Sequence, residues 1–371
     1  MSVYDAPKNT YSETTQAVRI ISDVINLIDP VDTPLLSAIG GLDSASSKFR
    51  IRGNGTKIEW LEDAYAPLAG ALTAATITST TTVLPVVDGS VFKAGQVVKI
   101  DSEYMWVSSV SGDNVTVSSR TYGGTQATHA TSATIDIVGM SRLEGADASF
   151  DAFVNISQPY NYTSIFQKGL KVTGTEMVID EYGYSDVWAY QANKTMPEMF
   201  RLIEKQIFHG IRGAGSATTP RSFGGLGTFV GNSTSATTHV TKTAIDSLAE
   251  LIYLDGGSPD LVVMHPTEAN VLHGLLDSSS FIRFGQENTQ FGMMPVRSIS
   301  TQYGEFKMVI DRFCPSNKVY MLDSRKVGLY SLRSFGWREV PSAGDYKGAE
   351  MIGELSLVVA NGDAHGVITI S

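Results

Sequence analysis

The sequence predicts an α+β fold with a small all-β module inserted in it, and three patterns point there. An amphipathic helical pattern covers 183–211, strands alternate with helices of about ten residues beyond 240, and the Thr-, Ser- and Val-rich stretch 72–138 breaks into short strands and turns. The 371 residues are 42% hydrophobic and 18% charged, too apolar for a disordered chain and too evenly mixed for a fibrous one. The opening "MSVYDAPKNTYSETT" has neither a basic n-region nor an apolar h-region, so no secretory signal is expected. No window approaches the roughly 18 apolar residues of a membrane helix. The single cysteine, Cys314, excludes an intramolecular disulfide and a thiolate metal cluster. A net charge of −10 argues against a dedicated nucleic-acid binder, and the basic cluster "KFRIR" at 48–52 is purely local.

Residues 1–48 read as an N-terminal arm. In "TQAVRIISDVINLID", Val18, Ile21, Val24, Ile25 and Ile28 recur at helical spacing, and Pro30 ends the pattern. In "DTPLLSAIGG", Thr33-Pro34 opens a short helix and Gly40-Gly41 closes it. The arm's narrow apolar face requires a partner, either the body of the chain or a neighbouring subunit. Segments 49–71 and 139–176 read as one long two-stranded excursion interrupted by the module. Trp60, Tyr65, Tyr160, Tyr162 and Phe166 lie on it with little local core, which suits either protein contact or packing against the module. Within 72–138 the strands are "GQVVKI", "EYMWVSSV", "VTVSS" and "ATIDIVG", with "SGDN" as a hairpin turn.

In the 183–211 pattern, Met196, Met199, Phe200, Ile203, Ile207 and Ile211 share a face. Pro197 would remove a helical hydrogen bond and clash with the Asn193 carbonyl, while Thr195–Glu198 matches a capping box. A break near Thr195, or a kinked helix, is expected. Beyond it, helix "KTAIDSLAELIYL", strand "DLVVMHP", helix "TEANVLHGLLD" and strands "FKMVID", "KVYMLD" and "VGLYSL" predict a mixed, partly parallel sheet. Two further strands flank a turn at Asn361-Gly362-Asp363.

The glycine-rich run 210–231, "GIRGAGSATTPRSFGGLGTFVG", invites a phosphate-site reading but fails it. No lysine lies between 206 and 241, and Thr218 and Val230 stand where a dinucleotide fingerprint needs its third glycine. The run reads instead as a hinge, with Gly213, Gly215 and the Gly224-Gly225-Leu226-Gly227 cluster supplying positive φ. His265 and His273 flank Glu268 at a spacing that does not share a helix face. "GAGSATT" lacks the closing glycine of a nucleophile elbow, and Cys314 has no base beside it and reads as a buried hydrophobe. Glu59, Glu62 and Asp63 near Trp60 form an acidic pattern that surface loops commonly share. Catalytic, cofactor-binding and metal-ligating residues are each expected to be none, and the protein not to be an enzyme.

Several stretches in order resemble a known family: "DTPLLSAIG", "RLIEKQIFHG", "GGLGTFVG", "GEFKMVIDRFCPSNKVYMLDSRKVGLYSLRSF" and "GDYKGAEMIGELSLVVANGDAHGVI". They are similar to tailed-bacteriophage major capsid proteins of the Hong Kong 97 (HK97-like) type, SU10-like branch. The resemblance covers everything but the module. It implies an N-arm at 1–48, an extended loop at 49–71 and 139–176, and a β-module at 72–138 inserted in that loop. A peripheral domain with a spine helix would comprise 177–215 and 336–371, and an axial α/β domain 216–335. It further implies self-assembly into hexamers and pentamers by arm and loop exchange, in an icosahedral phage head enclosing double-stranded DNA without sequence-specific binding. Portal, scaffolding or decoration proteins would be partners, no membrane would be involved, and the virion, assembled in the bacterial host cytoplasm, would be the location. Nothing at Lys168 on the loop supports a crosslink. A tail or adhesin protein binding a host-surface ligand is the alternative, and a nucleotide-using enzyme a weaker one.

Overall fold

The computed structural model describes residues 32–42, 54–72, 76–145, 156–180, 183, 185–278 and 298–371. The helical stripe expected at 15–29 lies outside them. The chain forms two compact units, Met1–Trp60 with Pro159–Ser371, and Leu61–Gln158.

The first unit is built on a six-stranded sheet in the order β10-β17-β14-β11-β13-β12. These strands are β10 (Asn232–Ala236), β17 (Gly366–Ile370), β14 (Lys318–Leu322), β11 (Leu261–Met264), β13 (Gly304–Ile310) and β12 (Ser298–Thr301). The pairs β10–β17 and β11–β13 are parallel and the others antiparallel, as the alternation of strands and helices predicts. Side chains alternate across it. Val262, Met264, Val319 and Met321 face α3 (Lys242–Leu254) and α4 (Pro266–Ser278), whereas Leu261, Val263, Tyr320 and Leu322 face the long helix α2 (Val187–His209). Central β11 is buried on both faces, which is why "LVVM" reads as an unbroken apolar run.

A second, three-stranded antiparallel sheet, β15 (Val327–Val340), β16 (Tyr346–Val359) and β9 (Ser164–Thr173), shares the α2 core through Phe166, Leu329, Met351 and Leu355. Short strands β1 (Lys57–Glu59) and β8 (Tyr160–Tyr162) pair antiparallel. The two C-terminal strands flank the expected turn, with Asn361 left-handed (φ 56°), but join different sheets: β16 pairs with β15 and β9, β17 with β10 and β14.

Helix α2 departs from expectation at its start. It runs unbroken through Pro197, and its cap is Asp186, whose carboxylate accepts the N–H groups of Trp188 (2.8 Å) and Ala189 (3.1 Å). Thr195 caps nothing; its hydroxyl donates to the Gln191 carbonyl at 2.9 Å, the usual fate of a mid-helix threonine. Met199, Ile203 and Ile207 are buried as the periodicity demands, whereas Ile211 lies past the helix end and is 81% exposed.

The second unit is a six-stranded, wholly antiparallel sheet, β2 (Ala69–Ala71), β7 (Thr134–Met140), β4 (Gln96–Ile100), β5 (Glu103–Ser111), β6 (Asn114–Val117) and β3 (Val83–Pro85), in that spatial order. A bridge between Leu72 and Val86, with Val87 N–H donating to the Ala71 carbonyl at 3.0 Å, joins the two edges. The sheet therefore curls into a small barrel with little open edge. Leu72, Leu84, Val98, Ile100, Met105, Val107, Val115 and Ile135 fill it. The "SGDN" turn is a two-residue hairpin with Gly112 at φ 55°. Polar atoms close one side. The Arg120 guanidinium donates to both carboxylate oxygens of Glu103 (2.6 and 2.7 Å) and to the carbonyls of Thr78, Thr81 and Ala127, and His129 meets Glu103 at 3.0 Å.

Candidate functional site

Several amides of the glycine-rich run are already engaged within the protein. Gly213 N–H donates to the Ser222 carbonyl (2.9 Å), Phe223 N–H to Ser164 Oγ (2.8 Å), Gly224 N–H to Asn161 Oδ1 (2.8 Å) and Gly225 N–H to the Gly210 carbonyl (2.9 Å). Most of its glycines do not adopt the positive φ expected of them. Of the hinge glycines only Gly215 has positive φ (72°); Gly213, Gly224, Gly225 and Gly227 do not. Gly225 is needed for close approach: a Cβ there would lie 2.6 Å from the Ile207 carbonyl and 2.9 Å from Gly210 N, so no other residue fits against the end of α2.

Polar side chains from distant segments rivet this turn. Asn161 donates to the carbonyls of Gly224 (3.2 Å) and Leu357 (2.7 Å), Gln206 donates to Ser164 and Ser222, and buried Glu354 accepts from Thr163 (2.6 Å) and Arg221 (3.0 Å). Burial pushes the Glu354 carboxyl up, but the Thr163 and Arg221 hydrogen bonds and the nearby Arg333 charge outweigh this and hold it below the usual carboxylate range. Nothing in the local sequence of Asn161 or Glu354 signals this role, because each bond spans 42 residues or more, apart from the Gln206–Ser222 pair. A cavity of about 370 Å³ lies beside the turn, lined by His209, Thr228, Asn317 and Lys318 among others, with no carboxylate.

The other candidate residues do not converge. Glu268 accepts the Val240 N–H (2.9 Å) and meets His239 at 3.0 Å, while His265 turns to the Thr267 hydroxyl. Among the described residues no group of three His, Cys, Asp or Glu side chains is placed to hold a metal ion. Cys314 is buried with its Sγ 3.5 Å from the Lys318 carbonyl, and burial pushes its thiol well above the usual range, far from a thiolate nucleophile. Glu59 pairs with Lys57, and Lys168 with Glu198. Two of the aromatics belong to the core: Trp60 packs at a tilt against Phe229 (5.6 Å between centroids) and Phe166 against Phe223 (6.2 Å). Tyr160 is half-buried under Lys57 and Arg212, and Tyr65 is fully exposed.

One buried titratable pair escaped sequence reasoning. Glu204 and Asp311 are fully shielded from solvent, and Glu204 accepts the N–H groups of Leu35 and Leu36 from α1 (Pro34–Ala38). Glu204 falls in the row Phe200, Glu204, Phe208 at helical spacing, an acid inside an apolar stripe, and that was the available signal.

Some large apolar side chains are exposed. Leu202 and Ile211 border a groove of about 370 Å³ near the end of α2, Val178 and Ile179 follow β9, and Tyr253 and Leu254 end α3. In the other unit Leu61, Tyr65, Leu68, Leu143 and Ile156 are exposed. Exposed apolar patches of this kind mark protein–protein contact rather than catalysis.

The fold matches solved shells. The chain is similar to the subunit in the capsid asymmetric unit of cyanophage A-1(L), with TM-score 0.59, 13% identity, and 98% of this chain and 99% of that one covered. It is also similar to the capsid subunit of a native GTA particle, with TM-score 0.55, 10% identity, and 99% and 100% covered. At such identities the likeness is one of fold. None of the curated proteins matches the chain. The family model of the SU10 major capsid protein matches residues 7–370, and so this chain, with a surface suited to packing and no converging chemistry among its described residues, belongs to the SU10 major capsid protein family.

Proposed function

We propose that this structural capsid protein builds an HK97-like icosahedral phage head of hexamers and pentamers around double-stranded DNA. The observation that carries this reading is the family match over residues 7–370, joined to a capsid-type fold along the whole chain. In it, 1–48 is the N-arm and 49–71 with 139–176 the extended loop. Segments 177–215 and 336–371 form the peripheral domain around α2, with β17 reaching into the sheet of the axial domain, 216–335. The barrel around 72–138 sits on the loop and clamps or decorates the shell. Heterologous contacts through the arm, the loop and the exposed apolar patches bury surface that a lone protomer leaves in water. A net charge of −10 lets enclosed DNA lie without adhering, and no enzymatic step is needed. Portal, scaffolding or decoration proteins complete a virion assembled in a bacterial cytoplasm. Electron microscopy of the purified chain tests the reading. Closed shells or hexameric and pentameric capsomers are expected; fibres or isolated trimers would instead favour a tail or adhesin protein.

A further inference from the structure

Glu204 and Asp311 are both shielded from solvent inside the core, and each carboxyl perturbs the other. One oxygen of each is already engaged. Glu204 Oε1 accepts the N–H groups of Leu35 (2.8 Å) and Leu36 (3.2 Å), and Asp311 Oδ1 accepts that of Phe313 (2.8 Å). Glu204 Oε2 and Asp311 Oδ2 are left, both buried and without a hydrogen-bond partner among the described residues. Two ionised carboxylates cannot hydrogen-bond to each other, and two bare charges at this depth would each carry a large desolvation penalty. Among the described residues no cation is hydrogen-bonded to either carboxyl: Arg201, one turn away on α2, leaves a buried Nε without a partner, and Arg312 turns to Asp32 at 3.1 Å.

We propose that Glu204 and Asp311 share one proton, and that this proton latches the segment 32–42 onto the body of the chain. The bonds from Glu204 to α1 span 169 and 168 residues, and they hold Leu35, Leu36 and Ile39 in the core, so they anchor the root through which residues 1–31 join the fold. Releasing the segment opens Glu204 to water and returns it to the ordinary range near about 4.3. In the docked state burial, and next Asp311, push it up to about 9. The docked form therefore holds one more proton than the released form between those values. Docking is strongest at low pH, weakens as pH rises across that window, and levels off above about 9.

The other charged groups around the pair do not produce this response. Arg312, paired with largely exposed Asp32 at 3.1 Å, pulls Asp311 downward by its charge. The Cys314 thiol is pushed up by burial and by Asp311, so it stays neutral. His265 also pulls Asp311 downward by its charge, which opposes rather than produces a raised carboxyl.

Hydrogen exchange on the full-length, unassembled chain between pH 6 and 9.5, corrected for intrinsic rates, reads the latch. Protection at Leu35, Leu36, Ile39 and Gly41 is expected to fall about tenfold per pH unit toward pH 9, as one linked proton requires, while Ile203 and Ile207 stay protected. Glu204→Gln keeps an acceptor for α1 and a donor for Asp311, so its protection should stay flat with pH. Asp311→Asn, whose amide donates to Glu204, should flatten it too and decides the matter if the first variant misfolds. His265→Gln should keep the slope. A flat wild-type profile, a slope persisting in Glu204→Gln or Asp311→Asn, or a slope lost in His265→Gln overturns the proposal.

Discussion

At Gly225 a hydrogen atom is the only side chain that fits, because the carbonyl of Ile207 stands 2.6 Å from where a Cβ would go. Gly213, in the same run, has open space and an ordinary φ. Gly225→Ala should lower unfolding stability by about 2–3 kcal/mol through overpacking, whereas Gly213→Ala should stay within about 0.5 kcal/mol. Chemical denaturation of the two variants separates them, and equal effects would return the run to the hinge reading. Composition flagged the glycines, but not which ones matter. That depends on the end of α2, Asn161 and Ser164 arriving at the same place.

Among the elements, α2 shows where local rules compete. The apolar stripe, the buried positions 199, 203 and 207, and the C-terminal end near Gly210 follow from periodicity. The start does not, since Asp186 outcompeted the capping-box pattern at Thr195 and the helix continued through Pro197. Tertiary burial of the stripe against Tyr320 and Leu355 outweighs a proline penalty of about 3 kcal/mol. Pro197→Ala restores a donor to the Asn193 carbonyl and should raise the melting temperature by several degrees, corresponding to about 1–3 kcal/mol. A lower melting temperature would mean that the first unit depends on the backbone geometry proline imposes.

For the whole molecule, the unit Leu61–Gln158 leaves and re-enters between neighbouring strands: Glu59 faces Tyr160 in the β1–β8 register, and Trp60 N–H donates to the Pro159 carbonyl at 3.1 Å. A short turn can therefore replace it. Replacing 61–158 by a four-residue Gly-rich turn should leave the first unit folded with an unchanged melting transition. If the barrel clamps the shell, particles of the shortened chain should form yet lose heat and osmotic resistance relative to wild type. Loss of folding would show that the barrel is no independent insertion, and unchanged resistance would remove the clamp.

Much of the strand and helix placement was legible from the residues alone, because period-2 and period-3.6 burial is a local property: "KTAIDSLAELIYL" is α3 residue for residue, and β4, β5, β6 and β7 fall within a residue or two of their patterns, whereas the edge strands β2, which lies before 72, and β3 had no pattern of their own. The ordered stretches also carried the family. What the chain could not announce is long-range: that β17 leaves β16 for another sheet, that Trp60 and Phe166 are core rather than surface, and that Glu204 waits for Asp311 and α1. Local sequence sets which face of an element is apolar. Which partner covers that face, and which polar atom is stranded beneath it, is decided only when segments more than a hundred residues apart meet.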